Sequence, residues 1–431
     1  MGKYFGTDGI RGVYGKCLTE RIAYLLGLAL SEYFGGLCVV GRDTRVSGEI
    51  LFSALKMGLE KNGASAINIG VVPTPCVSMI AKEWSAKCGV MITASHNEPQ
   101  YNGLKVFAKD GIKLSEDEEI QIEKLMDSYA YKNLFNDGDI LKFLKLEDEF
   151  NGHKKAKETY ISQLTKVFCQ REFDGLKVLL DIGNGAAGTI ASEVFARLGA
   201  SVISINDEGD GSKINVESGA LYIENLIDKM DGFDLGFGFD GDADRVAVVV
   251  GKRILDGDSV LYSLSKGTNL KDGVVVGTLM SNSSLDKKLL NDGKKLIRTA
   301  VGDKYILDAM LKKGYSLGGE QSGHYIFYPE RKTGDGILAA LKICRAFKND
   351  ELEFLELLPQ KTISIKADKR VFDDNKIKEL IEKYSGKVES LLVRMSGTEP
   401  KIRVSVEDED AKLVEVLLKE FVDLVEEIKS Q

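Results

Sequence analysis

Three stretches of the chain repeat one order of apolar and polar positions: Leu37 to Gly70, Leu176 to Asn206 and Gly273 to Gly302. Each opens on a near-continuous run of apolar, largely β-branched residues, such as "LCVV", "LKVLL" and "GVVVG". A turn rich in Gly, Asn, Ser or Thr follows, then apolar residues at helical spacing, then a second strand-like run. A strand that is apolar on both faces is one covered by crossover helices on both sides. A glycine near the end of each helical stretch supplies the stop. Copies roughly 100–140 residues apart are too widely spaced for a solenoid and fit repeated domains. The pattern predicts three similar α/β domains with mixed, mainly parallel sheets.

From Lys361 the pattern changes. Short alternating strands, "KTISIKA" and "KIRVSVE", flank two helical segments. The last helix places Val414, Leu417, Leu418, Phe421, Val425 and Ile428 on one face. A smaller C-terminal α+β domain is expected. Boundaries near 150, 252 and 360 divide the chain into 1–150, 151–252, 253–360 and 361–431.

With 431 residues, the length agrees with two to four domains. At 43% apolar and 29% charged, the chain reads as a well-mixed globular protein, and no apolar run is long enough to cross a bilayer. Its start, "MGKYFGTDGIRG", lacks the hydrophobic segment of a signal peptide, so a cytoplasmic protein is expected. The net charge of −8 and the lack of a basic stripe argue against a nucleic-acid partner. Six scattered cysteines, Cys17, Cys38, Cys76, Cys88, Cys169 and Cys344, show no metal-finger spacing and read as reduced thiols, mostly in apolar surroundings.

The sharpest chemical signal is "GFDGDADRVAVV", Gly238 to Val249. Asp240, Asp242 and Asp244 alternate between strand-like runs, with Arg245 directly after. Three carboxylates this close raise one another's pKa unless a cation sits among them. Oxygen-only ligation suits Mg²⁺. An acidic surface turn is the bland alternative, and the flanking strands favour the metal.

In "RMSGTEPKIR", Arg394 and Arg403 flank Ser396, Gly397 and Thr398, which offers guanidinium forks, hydroxyls and backbone donors to a phosphate. Without its arginines this stretch would read as a polar loop between strands. In "LGGEQSGHYIF", Glu320, Ser322 and His324 share a glycine-rich loop able to accept from and donate to sugar hydroxyls or an amine. It lacks the spacing of a nucleophile elbow. The stretches "FGTDGIRG" and "GRDTRVSG" read as salt-bridged turns or anion-contacting loops, and "TAVGDKY" says little alone.

One serine remains. In "VMITASHNEPQYNGLKVF", Ser95 follows a strand and should emerge at its carboxyl end, where open α/β sheets bind ligands. It could simply cap the next element. His96 beside it suggests acyl transfer, but no orienting third group or oxyanion motif is readable. A carboxylate-held Mg²⁺ and a phosphate cradle point instead to phosphoryl transfer through serine, with Lys105 and the arginines holding oxygens.

Taken in order, "TASHN", "DGDADR", "GGEQSGH" and "RMSGTEPKIR" resemble the α-D-phosphohexomutase superfamily over essentially the whole chain. That resemblance implies four domains around a central cleft and a requirement for one Mg²⁺. It implies that Ser95 carries a covalent phosphate, itself a metal ligand beside Asp240, Asp242 and Asp244. Glu320, Ser322 and His324 match the sugar-contacting loop; Arg394, Ser396, Gly397, Thr398 and Arg403 match the loop gripping the non-reacting phosphate. Arg11, His96, Lys105 and Arg245 match positions for proton transfer or charge stabilisation. "FGTDGIRG", "TAVGDKY" and "GGEQSGH" lean toward the amino-sugar branch, which interconverts glucosamine 6-phosphate and glucosamine 1-phosphate through a 1,6-bisphosphate. A small hexosamine phosphate is then the partner, with no nucleic acid or membrane, and a homodimer is the implied assembly. The same chemistry on mannose or glucose phosphates, and a catalytically silent sugar-phosphate sensor, are the rival readings. Glu98 departs from the superfamily, which commonly has proline after S-H-N, and places a negative side chain three positions beyond the serine.

Overall fold

The computed structural model describes residues 2–6, 8–131, 152–395 and 400–430. Strands β1 (Ile10–Val13), β2 (Leu37–Arg42), β3 (Ser65–Val71), β4 (Cys88–Ile92) and β5 (Tyr101–Ala108) form a first sheet in the order β1-β5-β4-β2-β3. A second sheet, from β6 (Lys177–Asp181), β7 (Ser201–Ile205), β8 (Leu235–Phe239), β9 (Val246–Val250) and β10 (Arg253–Leu255), runs β10-β9-β8-β6-β7. A third runs β12-β11-β13-β14, from β11 (Val274–Thr278), β12 (Lys295–Thr299), β13 (Leu317–Gly319) and β14 (Tyr325–Phe327). The last joins β15 (Gln360–Lys366), β17 (Lys401–Glu407) and β16 (Ser390–Met395), all antiparallel.

The three repeats seen in the sequence are the β2-helix-β3, β6-helix-β7 and β11-helix-β12 crossovers, each closing a parallel pair. Their first strands are almost wholly buried, which is why each carries an unbroken apolar run through its middle. Beside its parallel half each of these sheets carries an antiparallel hairpin, β4-β5, β8-β9 or β13-β14, and the second sheet adds the hairpin β9-β10. The fourth sheet has β16-β17. The hairpins β4-β5, β8-β9, β13-β14 and β16-β17 connect through the four motif stretches. In the first three, the strand entering the loop pairs in parallel with β2, β6 or β11, so the loop leaves at a carboxyl end.

One apolar core runs without a break through the first three units, from Val39 through Phe237 to Leu317. The C-terminal unit has its own core, in which Val414, Leu417, Leu418, Phe421 and Val425 of the helix Ala411–Ser430 are buried and Ile428 packs at the edge. Each such burial contributes roughly 1.5–3 kcal/mol. Polar contacts join these cores: Glu407 accepts from the Ser283 N–H at 2.9 Å, and Lys287 donates to Glu389 at 2.8 Å. Among the described residues, no helix is long and apolar enough to cross a membrane.

Candidate functional site

The serine loop is built around a buried arginine. Arg45 Nη1 donates to the carbonyls of Glu98 at 2.6 Å and Tyr101 at 2.8 Å, and Nη2 to those of Ser95 at 2.9 Å and Asn97 at 2.7 Å. Its Nε is paired with Asp43 at 2.9 Å, and both side chains are fully buried. Asp43 also accepts from Thr93 at 2.6 Å, and the Thr93 hydroxyl accepts the Ser95 N–H at 2.8 Å. From across the domain seam Asn215 donates to the Ser95 and Asn97 carbonyls at 2.9 and 3.0 Å. The loop is therefore fixed by its backbone, with Ser95 at φ 52°. A non-glycine residue held at positive φ costs about 1–3 kcal/mol and persists only where its surroundings determine it.

Ser95 is buried, and its Oγ donates to Asp240 Oδ2 at 2.7 Å, with His96 Nδ1 at 3.3 Å. Asp240, Asp242 and Asp244 are all buried, and each offers an oxygen within 4.8 Å of the others. Burial drives the Asp240 carboxyl well above its usual range, with Asp244 and Asp242 adding to the effect. Burial also disfavours ionised Asp244, but Lys105, His324 and Arg245 hold it well below that range. Asp242 Oδ1 and Asp244 Oδ1 have no hydrogen-bond donor among the described residues. Leaving buried carboxylate oxygens bare is costly, and three hard oxygen donors converging in this way fit a small divalent cation such as Mg²⁺.

Positive charge surrounds the cluster. Lys105, buried on β5, lies 2.8 Å from Asp242, 3.0 Å from Asp244 and 3.1 Å from Asp8. Burial alone would lower its pKa, and these carboxylates raise it well above the ordinary value instead. Arg11 reaches Asp8 at 2.6 Å and Asn97 Oδ1 at 3.0 Å. His96 is pushed down to about 3 by burial and by Arg245 and Arg11, so it is neutral near pH 7. Thr74 locks the first unit to the second, giving its N–H to the Asp242 carbonyl at 2.9 Å and its hydroxyl to Asp242 Oδ2 at 2.5 Å.

A cavity of about 410 Å³ opens over this floor. Arg11, His96 and Arg245 line one side, Glu320, Ser322 and His324 another, and Arg394 and Arg403 a third. Glu320 Oε1 takes the Gly302 N–H at 3.2 Å, and Gly334 N–H donates to His324 Nε2 at 3.0 Å. Arg394 and Arg403 are direct cross-strand neighbours and have no ion-pair partner among the described residues. Burial, and the charge of Arg403, lower the Arg394 pKa. Like charges placed side by side are unfavourable unless an anion is to lie between them.

Four family descriptions match in chain order. Residues 2–133, 158–253 and 256–362 match the phosphoglucomutase/phosphomannomutase alpha/beta/alpha domains I, II and III, and 355–424 match the C-terminal domain. The chain belongs to the phosphoglucomutase/phosphomannomutase family. It is 39% identical to a phosphoglucosamine mutase of Thermotoga neapolitana, over 98% of this chain and 99% of that one. A phosphoglucosamine mutase of Finegoldia magna is 40% identical, with 99% of each chain covered. Among solved structures, a phosphoglucomutase/phosphomannomutase family protein from Burkholderia thailandensis superposes with TM-score 0.78 at 22% identity, covering 99% of this chain and 97% of that one.

In this family member, Ser95, His96, Arg11, Lys105, Arg245, the three aspartates, Glu320, Ser322, His324, Arg394 and Arg403 converge on one cleft or its floor. Ser396, Gly397 and Thr398 lie outside the described residues. Glu98 is exposed, its carboxylate hydrogen-bonded to Gln100 and its carbonyl held by Arg45. The negative charge that the sequence places near Ser95 therefore sits in solvent. Sequence reasoning missed Asp8, Lys113, Asp303, Thr74 and the organising role of Arg45. "FGTDGIRG" and "GRDTRVSG" did flag Asp8 and Arg45 as charged turn residues, but Lys113 and Thr74 carried no signal.

Proposed function

We propose that this chain interconverts glucosamine 6-phosphate and glucosamine 1-phosphate by passing a phosphoryl group through Ser95. The contact carrying this reading is Ser95 Oγ on Asp240, at the floor of a cleft whose far wall holds two arginines without an ion-pair partner among the described residues. Likeness to curated phosphoglucosamine mutases along nearly the whole chain supports the amino-sugar substrate.

Arg394 and Arg403 would grip the 6-phosphate and turn the C1 hydroxyl toward phosphorylated Ser95. That oxygen attacks phosphorus, the bond from phosphorus to Oγ breaks, and Oγ is left as a hydroxyl after taking up a proton. The 1,6-bisphosphate turns over in the cleft, and Oγ then gives up its proton and attacks the 6-phosphoryl group. The bond from phosphorus to the C6 oxygen breaks, and that oxygen takes up a proton, restoring phosphoserine and releasing glucosamine 1-phosphate. Arg11, Lys105 and Arg245 offset the charge on the moving group. His96, neutral and 3.3 Å from Oγ, offers a proton-accepting nitrogen without adding charge. Asp240, Asp242, Asp244 and the serine phosphate would hold Mg²⁺, which when bound withdraws charge from the phosphoryl oxygens. Glu320, facing the cleft, would accept from the C2 ammonium with charge assistance.

Side-by-side kcat/KM on glucosamine, mannose and glucose phosphates tests the substrate, because specificity is a ratio. Preference for glucosamine phosphate is the expected result. Preference for mannose or glucose phosphate would move the chain to a sister activity, and absence of turnover on all three would leave a sugar-phosphate sensor.

A further inference from the structure

Lys113 is the one cation that joins the serine-bearing unit to the sugar-loop unit inside the cleft, among the described residues. Its Nζ lies 2.6 Å from Asp8 Oδ1 and 2.6 Å from Asp303 Oδ2. Burial alone would lower its pKa, but Asp303 and Asp8 outweigh that and raise it. Both ends stand on rigid supports. Lys113 follows a turn in which the Ala108 N–H donates to the Ile112 carbonyl at 2.8 Å and Ser78 donates to the Gly111 carbonyl at 2.5 Å. Gly111 has φ +80°, and a Cβ there would meet the Ser78 carbonyl at 2.5 Å. Asp303 is the first residue of the helix Asp303–Lys313, where the helix dipole favours a carboxylate.

The bridge reaches the catalytic groups on both sides. Asp8 Oδ2 holds Arg11 at 2.6 Å and Lys105 at 3.1 Å, while Asp303 lies 3.5 Å from His324 Nε2. Two other ion pairs join these units, Lys304 with Glu116 at 2.7 Å and Lys332 with Asp110 at 3.7 Å, and the exposed carboxylate in each makes the pair weak. Take away the Lys113 charge, and two carboxylates on opposite units face each other in a poorly solvated place. Attraction across the seam then becomes repulsion.

We propose that Lys113 is a positioning residue that latches the first unit to the third and so retains the bisphosphate intermediate while it turns over. The inference rests on the Ser95 relay proposed above. A bisphosphate that escapes carries both phosphoryl groups away and leaves Ser95 as a free hydroxyl. The next turnover cannot start until another bisphosphate rephosphorylates that serine. A loosened latch therefore makes the enzyme depend on added bisphosphate, which loss of chemical competence would not do.

The test compares wild type, Lys113→Met and Lys113→Arg in the full chain, with and without added glucosamine 1,6-bisphosphate. Intact mass during turnover reads the fraction of chains carrying phosphate. For Lys113→Met the expected result is a fall in steady-state rate of about tenfold without added bisphosphate. Unphosphorylated chain should accumulate, and the rate should recover when bisphosphate is supplied. Lys113→Arg, which keeps the charge, should behave like wild type. If Lys113→Met does not fold, Asp303→Asn removes one arm of the latch and should show the same dependence in milder form. A Lys113→Met enzyme that stays phosphorylated and slow with bisphosphate present, or one indistinguishable from wild type, overturns the latch. An inactive wild type that never carries phosphate overturns the relay instead.

Discussion

Ser95 Oγ donates to Asp240 Oδ2 at 2.7 Å, joining hairpin loops of two sheets that lie 145 positions apart in the chain. The loops also touch through backbone: a Cβ on Gly241 would lie 2.6 Å from the Ser95 carbonyl and 2.8 Å from Ile214 Cδ1. The proposed phosphoryl carrier and the proposed metal cluster are thus one unit, held at a separation that only glycine permits.

Gly241→Ala tests that closeness. The added methyl must push the loops apart, which is expected to cost about 1–3 kcal/mol in stability. A displacement of this kind should lower kcat by on the order of 100-fold. Denaturant unfolding and steady-state kinetics measure the two effects. Unchanged kcat would mean that the contact between the loops has no part in catalysis.

Arg45 is the next point of leverage. Arg45→Met leaves Asp43 as a buried carboxylate without its cation and removes one donor from each of four loop carbonyls. Breaking one partner of a buried ion pair costs roughly 3–5 kcal/mol. Urea unfolding should show a loss of that size, accompanied by loss of turnover.

Such features separate what the sequence shows from what only the fold assembles. Asp240, Asp242 and Asp244 are legible because one short loop carries all three, and alternation between apolar strands gives them away. The crossover units are legible for a similar reason, since burial on both faces writes itself as unbroken apolar runs. Arg45 is not, because its partners are carbonyl groups, which every residue possesses. Asp8 and Lys113 come from separate segments of the first unit, and they meet Asp303 only when the units dock. Glu98 shows the converse: its charge is plain in the sequence, while its direction is set by the Arg45 bond to its carbonyl.

Glu98→Gln should accordingly do little. The side chain is exposed and contacts Gln100 rather than the serine. Stability is expected within about 0.5 kcal/mol of wild type. kcat should lie within about twofold, which corresponds to about 0.4 kcal/mol. A large gain in kcat would show that the Glu98 charge does oppose the serine phosphate.

Asp258 gives the chain a pH dependence of its own. Burial lifts its carboxyl from the usual 3.8 to about 7, although the Asn282 N–H donates to Oδ2 at 2.7 Å. The folded chain then binds more protons than the unfolded chain between these values. The stability contributed is complete below the lower value and is lost as pH rises through the upper one. Asp258→Asn stays neutral throughout, so the variant should gain stability relative to wild type as pH rises from 5 to about 8. Paired unfolding curves across that range measure the difference, and a gap that does not change with pH would contradict the assignment.

The central claim, that Ser95 carries the phosphoryl group, is tested most directly by labelling. Enzyme freed of phosphate is exposed to glucosamine 1,6-bisphosphate bearing radioactive phosphorus, and the labelled peptide is sequenced. Label on Ser95, released into product when glucosamine 6-phosphate is added and absent from an inactive Ser95→Ala chain, is the predicted result. Label on another residue, or mutase activity surviving in Ser95→Ala, would contradict it.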